Sequence, residues 1–229
     1  MPELPILRRL FDYVAALHEK WEYYRALFGH GAERIAVMNR RAGHLFWHLH
    51  WAMHDRVILA IARLLDGRGS AKAPNLSLAN AITEIDADDS QKTELRARLE
   101  GFRNRYASLL SQRHKRIAHT DRAVALDEQE IEGASRAEIQ SAIDYIDSLY
   151  AAICLAHDGS GAHFERFHRQ EAEYEAGVLK AILDRGNTRL DAERRERRER
   201  FIAITGARDL RQDFDPGEEC LARLERQRQ

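Results

Sequence analysis

The sequence contains little cysteine, proline or glycine. Its 2 cysteines, Cys154 and Cys220, lie far apart and match the spacing of neither a metal site nor a disulfide framework. Sparse cysteines are typical of proteins in a reducing cytoplasm. With only 4 prolines and 13 glycines in 229 residues, and many alanines, leucines, arginines and glutamates, the composition favours long helices.

Long hydrophobic runs are also missing. The most apolar stretch, residues 57–65, is interrupted by Arg63 and is too short to span a membrane. The first four residues lack the basic and then apolar pattern of a signal peptide. We therefore expect a cytoplasmic protein without membrane contact.

Neither sign of charge is in excess. The formal net charge is -1 although 32% of the residues are charged, so the chain lacks the overall basic character of many nucleic-acid-binding proteins. Any contact with RNA must then come from a local basic patch.

Apolar residues recur at three- and four-residue steps, which predicts helices at about 6–28, 32–66, 90–119 and 135–157. Predicted N-caps are Ser90 for the third long helix, Ser135 with Glu138 for the fourth, and Ser77 or Asn75 for a short helix between the second and third. No segment alternates with a period of two. The pattern predicts an all-α, up-and-down bundle with little or no sheet.

A break at Asp158-Gly159-Ser160-Gly161 divides the chain into a bundle, residues 1–160, and a charged helical C-terminal extension, residues 161–229. The alternating charges of residues 193–200 indicate a solvated helix held by i,i+4 ion pairs. An RNA-contacting arm is the alternative for this run.

Residues 113–121 combine the side chains best suited to chemistry on a phosphodiester. Arg113 precedes His119 by six positions, and the segment ends in His119-Thr120-Asp121. A guanidinium stays charged and matches phosphate oxygens in a bidentate fork. Histidine titrates near neutral pH and can both accept and donate a proton. The segment lies at a predicted helix end, where a scaffold fixes side chains that solvent still reaches.

This arrangement resembles the Arg-x(4–6)-His motif of HEPN proteins. The wider form, Arg-polar-Lys-x-x-Ala-His-Thr-Asp, is similar to the abortive-infection (AbiU-like) branch, and residues 62–66 and 75–78 agree with it. The resemblance covers about residues 5–160. It implies a four-to-five-helix HEPN bundle and an endoribonuclease or RNA-binding effector of prokaryotic defence. It also implies action without metal or cofactor, and an antitoxin or other regulatory protein as partner.

The resemblance also implies roles for individual residues. Arg113 would bind the phosphate, and His119 would act on the ribose 2′-hydroxyl or the leaving oxygen, with a 2′,3′-cyclic phosphate as product. His114, Arg116 and Asp121 would support them, and Asp55 is a more distant candidate. Six residues of ideal helix leave Arg113 and His119 about 120° apart in direction. The resemblance resolves this through a homodimer, in which two copies of the motif form one cleft.

Two other interpretations of the motif stay open. The same residues fit a non-catalytic HEPN module that binds a nucleotide or a protein. Alternatively, Arg113, Lys115 and Arg116 only offset the dipole at a helix C-terminus while His119 packs beneath the following connection.

A histidine-rich face of the second helix supplies an alternative of another class. Steps of three, four and seven residues place five side chains on one side of the helix: His44, Trp47, His48, Trp51 and Asp55. His44, His48 and Asp55 could together bind a divalent metal ion. Packing in the core or at a dimer contact, and a polar wall near the RNA site, are the competing interpretations.

Overall fold

The structure, a computed structural model, is almost entirely helical. It describes residues 4–29, 31–67, 69–70, 72–112, 134–161, 164, 168–207, 210–211 and 214–228. Within these ranges the helices are α1 (Pro5–Phe28), α2 (Ala32–Leu65), α3 (Leu78–Glu84), α4 (Asp89–Arg105), α5 (Ala107–Gln112), α6 (Arg136–Asp158), α7 (Arg169–Thr205) and α8 (Glu218–Arg228). None of the helices in the described ranges is long and apolar enough to cross a membrane.

The predicted all-α fold is confirmed. Between α2 and α3, two strands of two residues, β1 (Gly69–Ser70) and β2 (Ala73–Pro74), form an antiparallel hairpin in which Gly69 pairs with Pro74. Gly69 has φ 73°, and a Cβ at this position would lie 2.5 Å from the carbonyl oxygen of Ala73. Glycine is therefore the residue that this turn requires.

Helix boundaries follow capping chemistry where the structure describes them. Ser77 caps α3 by accepting from the Asn80 amide, and Ser135 and Glu138 form a reciprocal capping box at α6, both as predicted. The prediction of Ser90 as a cap is wrong. Asp88 is the N-cap of α4. Its carboxylate accepts from the Gln91 amide, and the side-chain oxygen of Gln91 accepts from the Asp88 amide.

The third long helix is also shorter than predicted. It was expected to continue to about residue 119, but α4 ends at Arg105, and Tyr106, with φ -110° and ψ 29°, separates it from α5. Leu109 and Tyr106 are nevertheless buried, so the apolar stripe continues across the break.

The chain divides into two compact units, residues 1–30 with 47–174 and residues 31–46 with 175–229. In the first unit α6 runs antiparallel to both α1 and α4. The Tyr150 hydroxyl donates to the Leu7 carbonyl at 2.8 Å, whereas Arg136 reaches the Phe28 carbonyl at the other end of α1. Fully buried side chains from five helices fill the core between them: Leu10, Leu17, Trp21, Ile58, Ile61, Ile82, Leu99, Phe102, Ile139, Ile143 and Ile146.

In the second unit, ion pairs join α7 to α8 and to the residues just before α8. Arg197 donates two bonds to Asp215, at 3.0 and 2.9 Å, and Arg200 reaches both Glu218 and Glu225. Arg189 and Glu193 form an i,i+4 pair, but of these two only Glu193 belongs to the charged run of residues 193–200. Within that run, the described bonds of Arg197 and Arg200 go to carboxylates 18 to 25 positions away. Arg197 and Arg200 are already matched by carboxylates, so the prediction of a solvated ion-paired helix is favoured over an RNA-contacting arm. The predicted domain division at residues 160 and 161 stays a prediction.

Candidate functional site

The described residues on either side of the predicted catalytic segment lie at one end of the bundle. Arg113, His114, Arg116, His119 and Asp121 lie outside the described residues, which stop at Gln112 and resume at Ala134. The hydroxyls of Tyr106 and Ser141 are 2.7 Å apart, so the start of α5 is level with the early turns of α6. Both attachment points therefore lie at the same end of the first unit, called here the motif end.

The beginning of α6 is held firmly at the motif end. The Ser135 amide donates to the Glu138 carboxylate at 2.8 Å, and the Glu138 amide donates to the Ser135 hydroxyl at 3.2 Å. The amide and hydroxyl of Ser135 lower the pKa of Glu138. A helix N-terminus carries partial positive charge, and the Glu138 carboxylate in the first turn of α6 offsets part of it.

Two arginines increase the positive charge at the motif end. Arg136 donates to the Phe28 carbonyl at 3.0 Å, which joins the first turn of α6 to the last turn of α1. Arg25 lies 3.2 Å from the Glu22 carboxylate and 3.4 Å from the Gln140 side-chain oxygen. A cavity of about 240 Å³ lies between Arg25 and Arg136. Glu22 offsets part of the charge of Arg25, whereas Arg136 is exposed and its described bond is to a neutral carbonyl.

A histidine pair from α2 completes the described part of the site. His50 Nε2 lies 2.9 Å from the hydroxyl of Tyr24, and the rings of His50 and His54 stack with centroids 6.3 Å apart. Burial is the main cause of a lowered pKa at His50; the nearby charges of His54 and Arg136 lower it further, while Asp55 acts in the opposite direction. Burial raises the pKa of Tyr24. The lowered pKa favours the neutral form of His50 near neutral pH, and the Tyr24 hydroxyl can donate to a ring nitrogen of His50.

Asp55, the distant supporting candidate, lies beside this pair. Its Oδ1 is 3.4 Å from Nδ1 of the buried His54, and its side chain is 32% exposed. The contact places Asp55 next to the residues of the motif end. Its role in supporting the catalytic segment stays a prediction.

The predicted His44–Asp55 face does not pack in the core. His44, Trp47 and His48 are exposed, and only Trp51 and Asp55 are half-buried. The core-packing interpretation is therefore wrong for the first three residues, because the buried side of α2 carries His54, Val57, Ile58 and Ile61 instead. Among the residues that the structure describes, no group of three metal-ligating side chains converges. The metal-site alternative gains no support from them.

Sequence reasoning did not bring together Tyr24, His50 and Arg136. Tyr24 lies on α1 and His50 on α2, 26 positions apart in the sequence. Arg136 and Phe28 are 108 positions apart, so no local pattern could pair them.

Stability should depend on pH through His50. A histidine whose pKa is lower in the folded than in the unfolded chain binds fewer protons when folded, so stability falls as the pH drops below about 6.5. We expect the melting temperature of the wild-type protein to fall more steeply between about pH 7 and pH 5.5 than that of His50→Gln. Thermal unfolding across this range measures the difference.

The matched control is His48→Gln, which changes an exposed histidine on the same helix. The melting temperature of this variant should depend on pH as steeply as that of the wild type. If the melting temperatures of wild type and His50→Gln depend equally on pH, His50 is not a cause of the acid sensitivity.

Comparison with known proteins agrees with this helical arrangement. The family model described as AbiU2, from the HEPN group, matches residues 5–177. This range contains the first five helices, the segment 113–121 and α6. No curated protein and no solved structure matches the chain.

Proposed function

The chain belongs to the AbiU2 family of HEPN proteins, and from this premise we propose that it is a metal-independent endoribonuclease of prokaryotic defence. The observation that carries the proposal is the family match over residues 5–177, which spans the segment with Arg113 and His119. In a toxin–antitoxin arrangement, an antitoxin or other regulatory protein would restrain the activity.

The proposed reaction uses the 2′-hydroxyl of RNA as its nucleophile. This oxygen attacks the adjacent phosphorus, the bond to the 5′-oxygen of the next nucleotide breaks, and a 2′,3′-cyclic phosphate remains. The hydroxyl loses a proton and the leaving oxygen gains one, and His119 serves one of these transfers. Arg113 stabilises the negative charge that develops on the phosphate oxygens.

The described side chains at the motif end support this proposal. Arg136 and the N-terminus of α6 provide positive potential where residues 113–133 join the bundle. We assign supporting roles to His114, Arg116 and Asp121 within the segment, and to Asp55 beside it. The lowered pKa of His50 favours its neutral form near neutral pH, which adds no charge of its own.

We further propose that the active form is a homodimer joined through the motif end. Arg113 and His119 would be about 120° apart in direction on a regular helix, so two copies provide a cleft that one copy does not. Trp47 is 58% exposed on α2, and its ring meets those of His48 and Trp51 at 4.9 and 6.5 Å. Large exposed aromatic side chains of this kind are enriched at protein interfaces.

Replacing Trp47 with alanine should weaken the dimer. A central tryptophan of an interface contributes about 2 kcal/mol or more, which corresponds to a roughly 30-fold rise in the dimer dissociation constant. Sedimentation measured over a range of protein concentrations gives this constant, and RNA cleavage should fall in parallel.

Leu155→Ala is the matched control, because Leu155 is similarly exposed, at 61%, but lies in the last turns of α6 away from the motif end. It should leave the dissociation constant unchanged. An unchanged dimer in Trp47→Ala would place the interface elsewhere.

The proposed function is tested by incubating the purified full-length protein with RNA in EDTA. We expect cleavage that continues in the chelator and leaves 2′,3′-cyclic phosphate ends. Cleavage that requires an added metal ion would contradict the mechanism. RNA that is bound but never cut would favour the non-catalytic HEPN module instead.

A further inference from the structure

A groove between α1 and α2 lies within the first unit, outside the segment of the proposed catalytic residues. It has a volume of about 570 Å³. Asp12, Tyr13 and Lys20 line it from α1, and Arg56, Leu59 and Arg63 line it from α2. We call it the α1–α2 groove.

Three cations dominate the charge of this groove. Burial lowers the pKa of Lys20, and Arg56 and Arg63 lower it further, while Glu19 acts in the opposite direction. The Lys20 ammonium donates to the Ala16 carbonyl at 2.8 Å. Among the residues that line the groove, Asp12 is acidic, and its carboxylate lies 3.6 Å from the guanidinium of Arg9.

Arg56 and Arg63 are exposed on α2. In the described ranges of the chain, neither of these guanidinium groups forms an ion pair with a carboxylate. Cations gathered this way repel one another, and the local repulsion is relieved when an anion binds between them.

The spacing of the cationic side chains along the groove suits an extended polyanion. Arg56 and Arg63 are seven residues apart, so they share a helix face and are separated by about 10.5 Å along the axis. Tyr13 is 49% exposed on the groove lining, so its ring is accessible for stacking. A charged track beside an accessible aromatic ring is the arrangement by which proteins bind single-stranded nucleic acid without reading its sequence.

The groove begins beside the motif end. The contact between Tyr24 and His50 pairs the last part of α1 with the middle of α2, and the two helices run antiparallel from there. Lys20 lies about one helical turn before Tyr24, and Arg56 two residues after His54. Arg63 and Asp12 lie at the far end, so the groove leads away from the motif end.

We propose that the α1–α2 groove binds the sugar-phosphate backbone of single-stranded RNA and holds the strand that enters the motif end. Lys20, Arg56 and Arg63 contact phosphates, and Tyr13 stacks on a base. As a site for substrate RNA, the groove rests on the proposed function. The affinity for RNA then comes largely from a surface separate from Arg113 and His119.

The test measures binding of a fluorescent single-stranded RNA by the full-length protein, with anisotropy as the readout. The RNA carries 2′-O-methyl groups, which block attack by the 2′-oxygen and keep it intact. We expect Arg56→Ala/Arg63→Ala to raise Kd at least about 10-fold near 0.1 M salt. The slope of log Kd against log salt should fall by about 1.4, since each lost phosphate contact on a single strand accounts for about 0.7.

Two further variants control for net charge and folding. Lys92→Ala/Arg96→Ala removes two cations from α4, which contributes no residue to the groove lining, and should keep Kd within about twofold of wild type because charges that do not contact the strand are largely screened at this salt concentration. Arg56→Lys/Arg63→Lys keeps the charge and should retain most of the binding, which separates loss of charge from loss of fold. Equal weakening in the alanine groove variant and the α4 variant would overturn the proposal.

Cleavage kinetics distinguish failure of the groove from failure of the proposed function. If both hold, the alanine groove variant raises KM for a cleavable RNA and leaves kcat near the wild-type value. If the alanine groove variant cleaves RNA at the wild-type rate with unchanged KM and Kd, the groove proposal is overturned and the ribonuclease proposal is not. RNA binding through the groove without any cleavage upholds the groove and overturns the ribonuclease. A wild-type protein that binds no RNA overturns both.

Discussion

His119→Ala is expected to lower the rate of RNA cleavage by about 10²–10⁴-fold, the usual contribution of a positioned general acid or base. Alanine can neither accept the proton of the 2′-hydroxyl nor protonate the leaving oxygen. Arg113→Ala should lower the rate by a similar factor, because the charge on the phosphate oxygens loses its guanidinium partner. Single-turnover cleavage in EDTA measures both effects on the chemical step.

Matched substitutions make this result specific. His168→Ala and Arg96→Ala each remove the same kind of side chain from a described position outside the proposed site, and both should cleave at the wild-type rate. Circular dichroism establishes that all four variants keep their helix content. Cleavage that continues unchanged in His119→Ala and Arg113→Ala would assign the reaction to other residues.

Phe102→Ala is expected to lower the free energy of unfolding by about 3–5 kcal/mol, the range for a large aromatic side chain removed from a core. Phe102 is 0% exposed in α4. Its ring lies 4.5 Å from that of Tyr106 and 4.9 Å from that of Tyr145, centroid to centroid. The substitution leaves a cavity where α4, the break at Tyr106 and α6 meet. Urea titration followed by circular dichroism measures the loss.

Phe11→Ala provides the comparison for this loss. Phe11 is 38% exposed and stacks on Phe164 at 5.0 Å. Because its ring is partly in solvent, removing it should cost clearly less than removing Phe102. Equal losses in the two variants would contradict the central packing position of Phe102.

The helices were largely predictable because local rules determine them. Apolar periodicity located α1, α2 and α6, and the capping serines at positions 77 and 135 determined two starts. Near α4, however, Asp88 and Ser90 both lie where a cap could form. The outcome depends on Gln91, three residues after Asp88, whose side chain completes the reciprocal bond.

The periodicity of apolar residues did not predict two features of the fold. The break at Tyr106 leaves the apolar stripe intact, because Phe102, Tyr106 and Leu109 remain buried on both sides of it. The length of α7 was also missed. Its ion pairs with Asp215, Glu218 and Glu225 join residues 18 to 25 positions apart, beyond the reach of any helical pattern.

The candidate site residues also differ in how far the sequence predicts them. Arg113 and His119 stand out because their spacing within one segment carries a family resemblance. Arg136, Tyr24 and His50 come together only through packing of three helices. The α1–α2 groove was hidden for another reason. A net charge of -1 averages over the whole chain, whereas Lys20, Arg56 and Arg63 gather on one face.

In the proposed reaction, the 2′-hydroxyl of the RNA attacks the adjacent phosphate without a metal ion. The most direct measurement maps the cleavage site on a substrate RNA in EDTA and then replaces the 2′-hydroxyl at that single nucleotide with hydrogen. We expect cleavage at this site to disappear while Kd for the RNA stays near its original value. Unchanged cleavage of the 2′-deoxy substrate would contradict the proposed reaction, because the proposed nucleophile would be absent.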